Sequence, residues 1–247
     1  LHTKYFIKYL PEQSSFYKGP SLNQKQTYQQ KPTSIWWHWD AGPNVHYESE
    51  AQSRVFSTYY VLLRRTNQND PVSSHFSVGP NTILQMLPMH ESTVTQARLT
   101  NDSKTMNNLE AESLGGIQIE TTGNNYDVHP PLASQTDTLV KLTAALMKKY
   151  DIPFSQIVGH VERGFLIKKS DPGINYLKQT RIKLLKYLIA QKQFENIGAP
   201  STWNFYTDAP SPYKVGGVVK VLNQSSSEIM KSLSLSEKML IANITNK

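Results

Sequence analysis

The 247-residue chain contains no cysteine. That excludes disulfides, thiolate metal ligands and a cysteine nucleophile together, so any metal must be held by His, Asp or Glu. It has no internal repeat, and no apolar run approaches the roughly 20 residues of a membrane span. The opening LHTKYFIKYL has neither an initiating Met nor a long apolar core, so no intact signal peptide is expected and the chain reads as a mature or trimmed form. Acidic residues are scarce: 19 Asp and Glu stand against 26 Lys and Arg, for a net charge of +7. The imbalance is local, with eleven Lys or Arg against three acids between Lys141 and Lys192. Such an excess is either the solvated face of helices or a surface for a polyanion, nucleic acid or an anionic cell envelope.

With 38% hydrophobic and 18% charged residues the chain reads as globular, long enough for one sizeable domain or one domain with a small appendage. Residues 1–33, rich in Gln, Tyr, Ser and Pro, read as an extended arm or loop. TSIWWHWDAG (33–42) reads as a buried strand ending at a turn, and SRVFSTYYVLLRR (53–65) has near-helical apolar spacing. SSHFSVGPNTILQMLP (73–88) predicts a hairpin around Gly-Pro-Asn, and GGIQIETTG (115–123) alternates as a half-buried strand does. Two helices follow, over 134–153 with Leu139, Leu142, Leu146 and Tyr150 on one stripe, and over 174–194 with Leu177, Leu184, Leu185 and Leu188 at core spacing. The short strand FSQIVGH lies between them. Strands interleaved with helices predict an α/β domain with a mixed central sheet flanked by helices. From about Gly198 the chain turns Pro- and Gly-rich and then Ser-rich. That extension, 198–247, is too short for much core of its own and is expected to pack on the domain or bind a partner.

His38, Glu120 and His160 each end or nearly end a short apolar strand: IWWH, IQIE and IVGH. In open α/β sheets, ligand chemistry gathers beyond strand ends, so neighbouring strands would bring these groups together. A histidine beside apolar residues is also a common structural feature, and both readings stand on the local sequence. Two His and one carboxylate suit a catalytic zinc site, which keeps a position for water. Asp171, in the SDPG turn, could complete the set or be an ordinary Asp-Pro-Gly turn residue. Glu120 would then be free to take a proton from water. Lys169, two residues before Asp171, is either a stabiliser of a developing oxyanion or one more surface lysine.

These pieces, in this order, resemble the type 2 N-acetylmuramoyl-L-alanine amidases, a zinc family that includes phage amidase lysozymes and peptidoglycan recognition proteins. The likeness runs from about Ser34 to Tyr176. IWWHWDAG is similar to the family's first strand, whose histidine binds zinc, which implies His38. VSSHFSVGPNTILQMLP resembles S-x-H-F/Y…G-x-I-x-x-L-V-P, where His75 matches a retained histidine behind the site. GGIQIE resembles S-I-G-I-E and implies Glu120 as the catalytic carboxylate. IVGHVERGFLIKKSDPG resembles V-V-G-H-x-D-I-x-P-G-R-K-x-D-P-G and implies zinc ligands His160 and Asp171 with Lys169 on the oxyanion.

The resemblance implies one amidase-like catalytic domain over 34–197, between the arm of 1–33 and the extension of 198–247. It implies Zn2+ as cofactor, peptidoglycan or muropeptides as partner, and an envelope, periplasmic or secreted location. His75 and Asn124 are candidate substrate-binding residues; Asn124, with Asn125 and Tyr126, follows the Glu120 strand and is equally a turn residue. The chain departs from the pattern in three places. The His160–Asp171 interval is one residue longer than usual, with LIK in place of P-G-R. VTQARLTNDSKTMNN stands where many members have A-W-H-A-G. Ser74 stands where some phage enzymes have a tyrosine beside the retained histidine, so the proton transfer is expected to rest on Glu120. The rival on the same fold is a non-catalytic peptidoglycan-binding module. Nucleic-acid binding is not expected, because the Lys/Arg cluster lies on helices with Leu-rich core faces rather than among aromatics.

Overall fold

A computed structural model describes residues 2–10, 31–66, 73–89, 116–163, 170–203, 205, 213–215, 218–220 and 224–245. In chain order its elements are β1 (Lys4–Ile7), β2 (Ser34–Trp39), α1 (Ala51–Thr66), β3 (Phe76–Gly79), β4 (Thr82–Gln85), β5 (Gly116–Thr121), α2 (Ala133–Tyr150), β6 (Ile157–Gly159), α3 (His160–Arg163), α4 (Ile174–Ala190), β7 (Tyr213–Val215), β8 (Val218–Lys220), α5 (Ser226–Lys231) and α6 (Leu235–Thr245). Six strands form one sheet in the order β1-β4-β3-β5-β2-β6, and β7 and β8 form a separate antiparallel pair. Within the large sheet only the β3–β4 hairpin is antiparallel. The mixed α/β sheet with flanking helices is therefore the architecture of the chain.

Alternation along the strands sorts side chains to two unlike faces. In β2, Ile35 and Trp37 point to the same side as Ile117 and Ile119 of β5 and Phe76 and Val78 of β3, where α2 and α4 supply Leu139, Leu177, Leu184 and Leu188. The Trp37 indole N–H donates to the Thr143 hydroxyl of α2 at 3.1 Å, so this large buried side chain loses no hydrogen bond. On the opposite face α1 covers β3 and β4 with Val55, Tyr59 and Leu62 against Leu84, Met86 and Leu87. Each such aliphatic side chain contributes roughly 1.5–3 kcal/mol by burial.

Two expectations are modified by this packing, and the extension takes the first of its two expected courses, packing on the domain. β5 is buried along its whole length rather than half-buried, because it lies between β3 and β2 with both faces covered. The stretch read as an extended arm supplies β1, which adds to the sheet edge in parallel with β4. Beyond Gly198, Trp203 and Phe205 pack edge-to-face on Phe154 at 5.5 and 5.4 Å between ring centroids, and Ile229, Leu233 and Ile241 join the main core.

Candidate metal centre

β5, β2 and β6 are adjacent and parallel, so their C-terminal ends open on one side of the sheet. The register sets His38 directly beside Glu120 on β5, and Glu120 beside Ser77 on β3. Residues in register on parallel strands share a face, so a polar row crosses the middle of the sheet on the side away from α2 and α4. Gln118 and Trp36 precede Glu120 and His38 on that face. Trp36 packs against Gly116, where a Cβ would come within 2.5 Å of the indole, so any side chain there would force the ring to move.

His160 arrives differently: it follows β6 immediately and opens α3. A buried ion pair holds that junction. Arg181 of α4 has no exposed surface and grips Glu162 with both terminal nitrogens, Nη1 to Oε1 at 2.7 Å and Nη2 to Oε2 at 2.5 Å. The same guanidinium donates to the Ile157 carbonyl, and Glu162 accepts the Gly159 N–H at 3.0 Å. Asp171 sits in a turn pinned at both ends. Its carbonyl accepts the Val161 N–H at 2.6 Å, and the Gly173 N–H donates to Ser170. Gly173 takes φ +94, and a Cβ there would meet Asp127 Oδ1 at 2.8 Å. The Asp127 carboxylate in turn accepts the N–H groups of Ile174 and Tyr176, both at 3.0 Å, and so caps α4.

The outcome is a tight triangle of donors: His38 Nδ1 to His160 Nδ1 2.9 Å, His38 Nδ1 to Asp171 Oδ2 3.0 Å, and His160 Nδ1 to Asp171 Oδ2 2.8 Å. All three side chains are buried. Tetrahedral zinc with bonds of roughly 2.0–2.2 Å has donor–donor edges of roughly 3.3–3.6 Å, so this cage fits the ion with a slight opening. The tautomer of His38 argues the same way. Its Nε2 is 2.7 Å from Gln118 Oε1, whose own amide nitrogen donates to the Gly116 carbonyl, so Nε2 carries the proton. Nδ1 then turns a lone pair towards an Asp171 oxygen that has only lone pairs. That contact is repulsive unless a cation, proton or metal, lies among the donors.

The electrostatics agree. Burial pushes His38 down, but its hydrogen bond to Asp171, the charges of Glu120 and Asp171 and its bond to Gln118 together raise its pKa above the usual imidazole value. Burial likewise pushes Asp171 up, and the two histidines overcome it and hold the carboxyl far below the ordinary range. Nearby, burial raises the pKa of Asp40 even though the Thr58 hydroxyl and the N–H groups of Gly123 and Gly42 donate to it. Asp40 thereby ties the end of β2 to α1 and to the loop after β5.

Of the sequence-predicted residues, His38, His160 and Asp171 converge, and Glu120 stands beside them in the row, 8% exposed. Lys169 and the segment in place of A-W-H-A-G lie outside the described residues. His75 has no exposed surface. Its Nδ1 accepts the Gln118 N–H at 3.1 Å, so it braces β5 from inside. Asn124 is partly exposed, but its side chain donates to the Gly42 carbonyl at 2.7 Å and its N–H to Asn44 Oδ1 at 2.9 Å, which joins two loops at the site's rim. Sequence reasoning missed Gln118, Asp40 and the Glu162–Arg181 pair. Gln118 was discoverable, since alternation places it on the face of Glu120. Arg181, one cation among many on α4, carried no signal.

Among solved structures, a mutant endolysin from Bacillus subtilis superposes with a TM-score of 0.45 at 19% identity, covering 78% of this chain and 97% of its own. The amidase LysC from Clostridium intestinale gives 0.46 at 15% identity, covering 73% and 97%. Peptidoglycan recognition protein 1 of Manduca sexta gives 0.45 at 16%, covering 62% and 78%. No curated protein sequence matches the chain. The decisive likeness is to a family: residues 28–174, more than half of the chain, match the N-acetylmuramoyl-L-alanine amidases, and the protein belongs to that family.

Proposed function

We propose that the protein is a zinc-dependent amidase that cuts the bond between the lactyl group of N-acetylmuramic acid and L-alanine in peptidoglycan. The observation that carries this reading is the convergence of His38, His160 and Asp171 at strand ends with Glu120 in register beside them. His38 Nδ1, His160 Nδ1 and an Asp171 oxygen would hold the ion. When bound, zinc supplies Lewis acidity, polarising an amide carbonyl and lowering the pKa of a water molecule towards neutrality. Glu120 accepts the proton of the attacking water, whose oxygen bonds to the lactyl carbonyl carbon. As the C–N bond breaks, Glu120 returns that proton to the departing L-alanine nitrogen. Lys169 stabilises the developing oxyanion. Asn124 shapes the groove through the loop it braces, and His75 acts from behind the strand ends. An extracellular or envelope location follows from the substrate, and no helix among the described residues is long and apolar enough to cross a membrane.

The test is mass spectrometry of soluble products from purified peptidoglycan incubated with zinc-loaded and chelated protein. Stem peptides with a free L-alanine N-terminus, released only by the zinc-loaded sample, are expected. Intact muropeptides, with the protein still sedimenting with the wall, would replace the amidase with a non-catalytic peptidoglycan-binding module.

A further inference from the structure

The polar row contains Gln118, a side chain for which the amidase mechanism has no use. Gln118 is fully buried in the middle of β5, on the same face as Glu120 and two residues before it. A buried glutamine amide is costly unless its groups are paired. It also occupies a position where the S-I-G-I-E pattern has glycine. Its Oε1 accepts from His38 Nε2 at 2.7 Å, and its Nε2 points at the Gly116 carbonyl at 3.4 Å. Its backbone is held as well: the N–H donates to His75 Nδ1, and the carbonyl accepts from the His75 N–H at 3.1 Å and the Ser74 hydroxyl at 2.9 Å. The amide that meets His38 therefore stands on a fixed stretch of strand, with Ser74 and His75 as its foundation.

We propose that Gln118 is a positioning residue of the metal centre: it locks His38 in the Nε2–H tautomer and aims the Nδ1 lone pair at the site shared with His160 and Asp171. This rests on the metal-site reading above and deepens it. An imidazole beside a carboxylate has a choice of tautomers, and only one leaves Nδ1 able to ligate. An acceptor on the far nitrogen removes the choice before any metal arrives and raises ligand basicity, as outer partners of metal-bound histidines do. Gln118 does this with a neutral amide, which adds no second negative charge beside Glu120.

The test compares wild type with Gln118→Met, which fills the same space without an acceptor, and Gln118→Glu, which restores one. Zinc affinity is read by competition with a chromophoric chelator. The His38 ring tautomer is read from 15N shifts of the zinc-free full chain in alkaline buffer. Expected are a 10–100-fold loss of zinc affinity in Gln118→Met, recovery to within a few-fold in Gln118→Glu, and an Nε2–H pattern in wild type that becomes a tautomer mixture in Gln118→Met. If Gln118→Met does not fold, Gln118→Asn, whose amide stops one methylene short of His38, takes its place with the same expectations. Unchanged zinc affinity and an unchanged tautomer in the acceptor-less variant overturn the proposal and leave the metal site standing. A wild type that takes up no zinc overturns the metal-site reading, and the tautomer comparison then still decides the role of Gln118 by itself.

Discussion

The Glu162–Arg181 pair makes a prediction whose sign can be tested. Both side chains are buried, and Arg181 donates to two Glu162 oxygens and to the Ile157 carbonyl while its guanidinium lies 3.8 Å from the Phe205 ring centre. Arg181→Met keeps most of the apolar bulk but leaves the Glu162 carboxylate in the interior with the Gly159 N–H as its remaining hydrogen bond among those described above. Breaking one side of a buried pair costs about 3–5 kcal/mol. At about 2–4 °C per kcal/mol for a chain of this size, Tm should fall by about 6–20 °C. Glu162→Gln in the wild-type background should also destabilise, because it strips the charge that Arg181 is buried against. In the Arg181→Met background the same Glu162→Gln change should stabilise, since it removes the stranded charge while its amide oxygen still accepts the Gly159 N–H. A four-member cycle of urea melts on metal-free protein reads the coupling directly. If Glu162→Gln destabilises equally in both backgrounds, or if Arg181→Met costs under about 1 kcal/mol, the pair is not the fastener of the β6–α3 junction.

Three further outcomes follow from the centre itself. Zinc at about 100 times its dissociation constant should stabilise the wild type by about 2.7 kcal/mol, roughly 5–10 °C in Tm; Asp171→Ala should abolish that shift, and a shift of full size in the variant would remove Asp171 from the ligand set. Glu120→Gln should retain zinc yet slow turnover by about 10²–10⁴-fold, the usual worth of a positioned general base, whereas an unaltered rate would place the proton acceptor elsewhere. The metal-free chain should lose stability as pH rises. The pKa of His38 is higher folded than its unfolded value of roughly 6.5, so its contribution is fully present below that pH and disappears as pH climbs through the folded value. The Asp171 contribution has the opposite sense, present above its unfolded value of roughly 3.9 and lost as pH falls through a much lower folded one. Thermal melts of metal-free protein should therefore decline from mildly acidic to alkaline pH, with His38→Ala flattening the decline. The zinc increment should grow over the same range, because the ion competes with the proton for Nδ1.

The convergence of the candidate residues was legible in the sequence because they sit at places where local rules are strict. His38, Glu120 and His160 each end a run of β-forming apolar residues, and a parallel sheet gathers such ends wherever they lie in the chain. Asp171 was legible because Asp-Pro-Gly admits few backbone paths. β5 was misread in one respect for a reason of the same kind. Its alternation of apolar and polar residues is real, but the polar side faces a buried row of Ser77, Glu120, His38 and Gln118 rather than water. Period-two patterning reports which residues share a face, and it says nothing about what covers that face.

The residues that stayed illegible are those whose role depends on distance through space alone. Arg181 reaches across from α4 to a glutamate nineteen positions earlier, and nothing in LKQTRIKLL separates it from the solvated lysines of that helix. Lys183, two residues on and on the opposite side of the helix, pairs at the surface with Asp137 at 2.6 Å, both about half exposed, and an exposed pair of that kind is worth little. The same charge, two residues apart on one helix, is in one case a partly solvated ornament and in the other the support of the β6–α3 junction that carries His160. The difference comes from the helix period, which turns Arg181 towards β6 beside the buried Leu184 and Leu177 and leaves Lys183 facing out. The net charge of +7 is untouched by this difference, since Arg181 is buried together with the Glu162 carboxylate that cancels it.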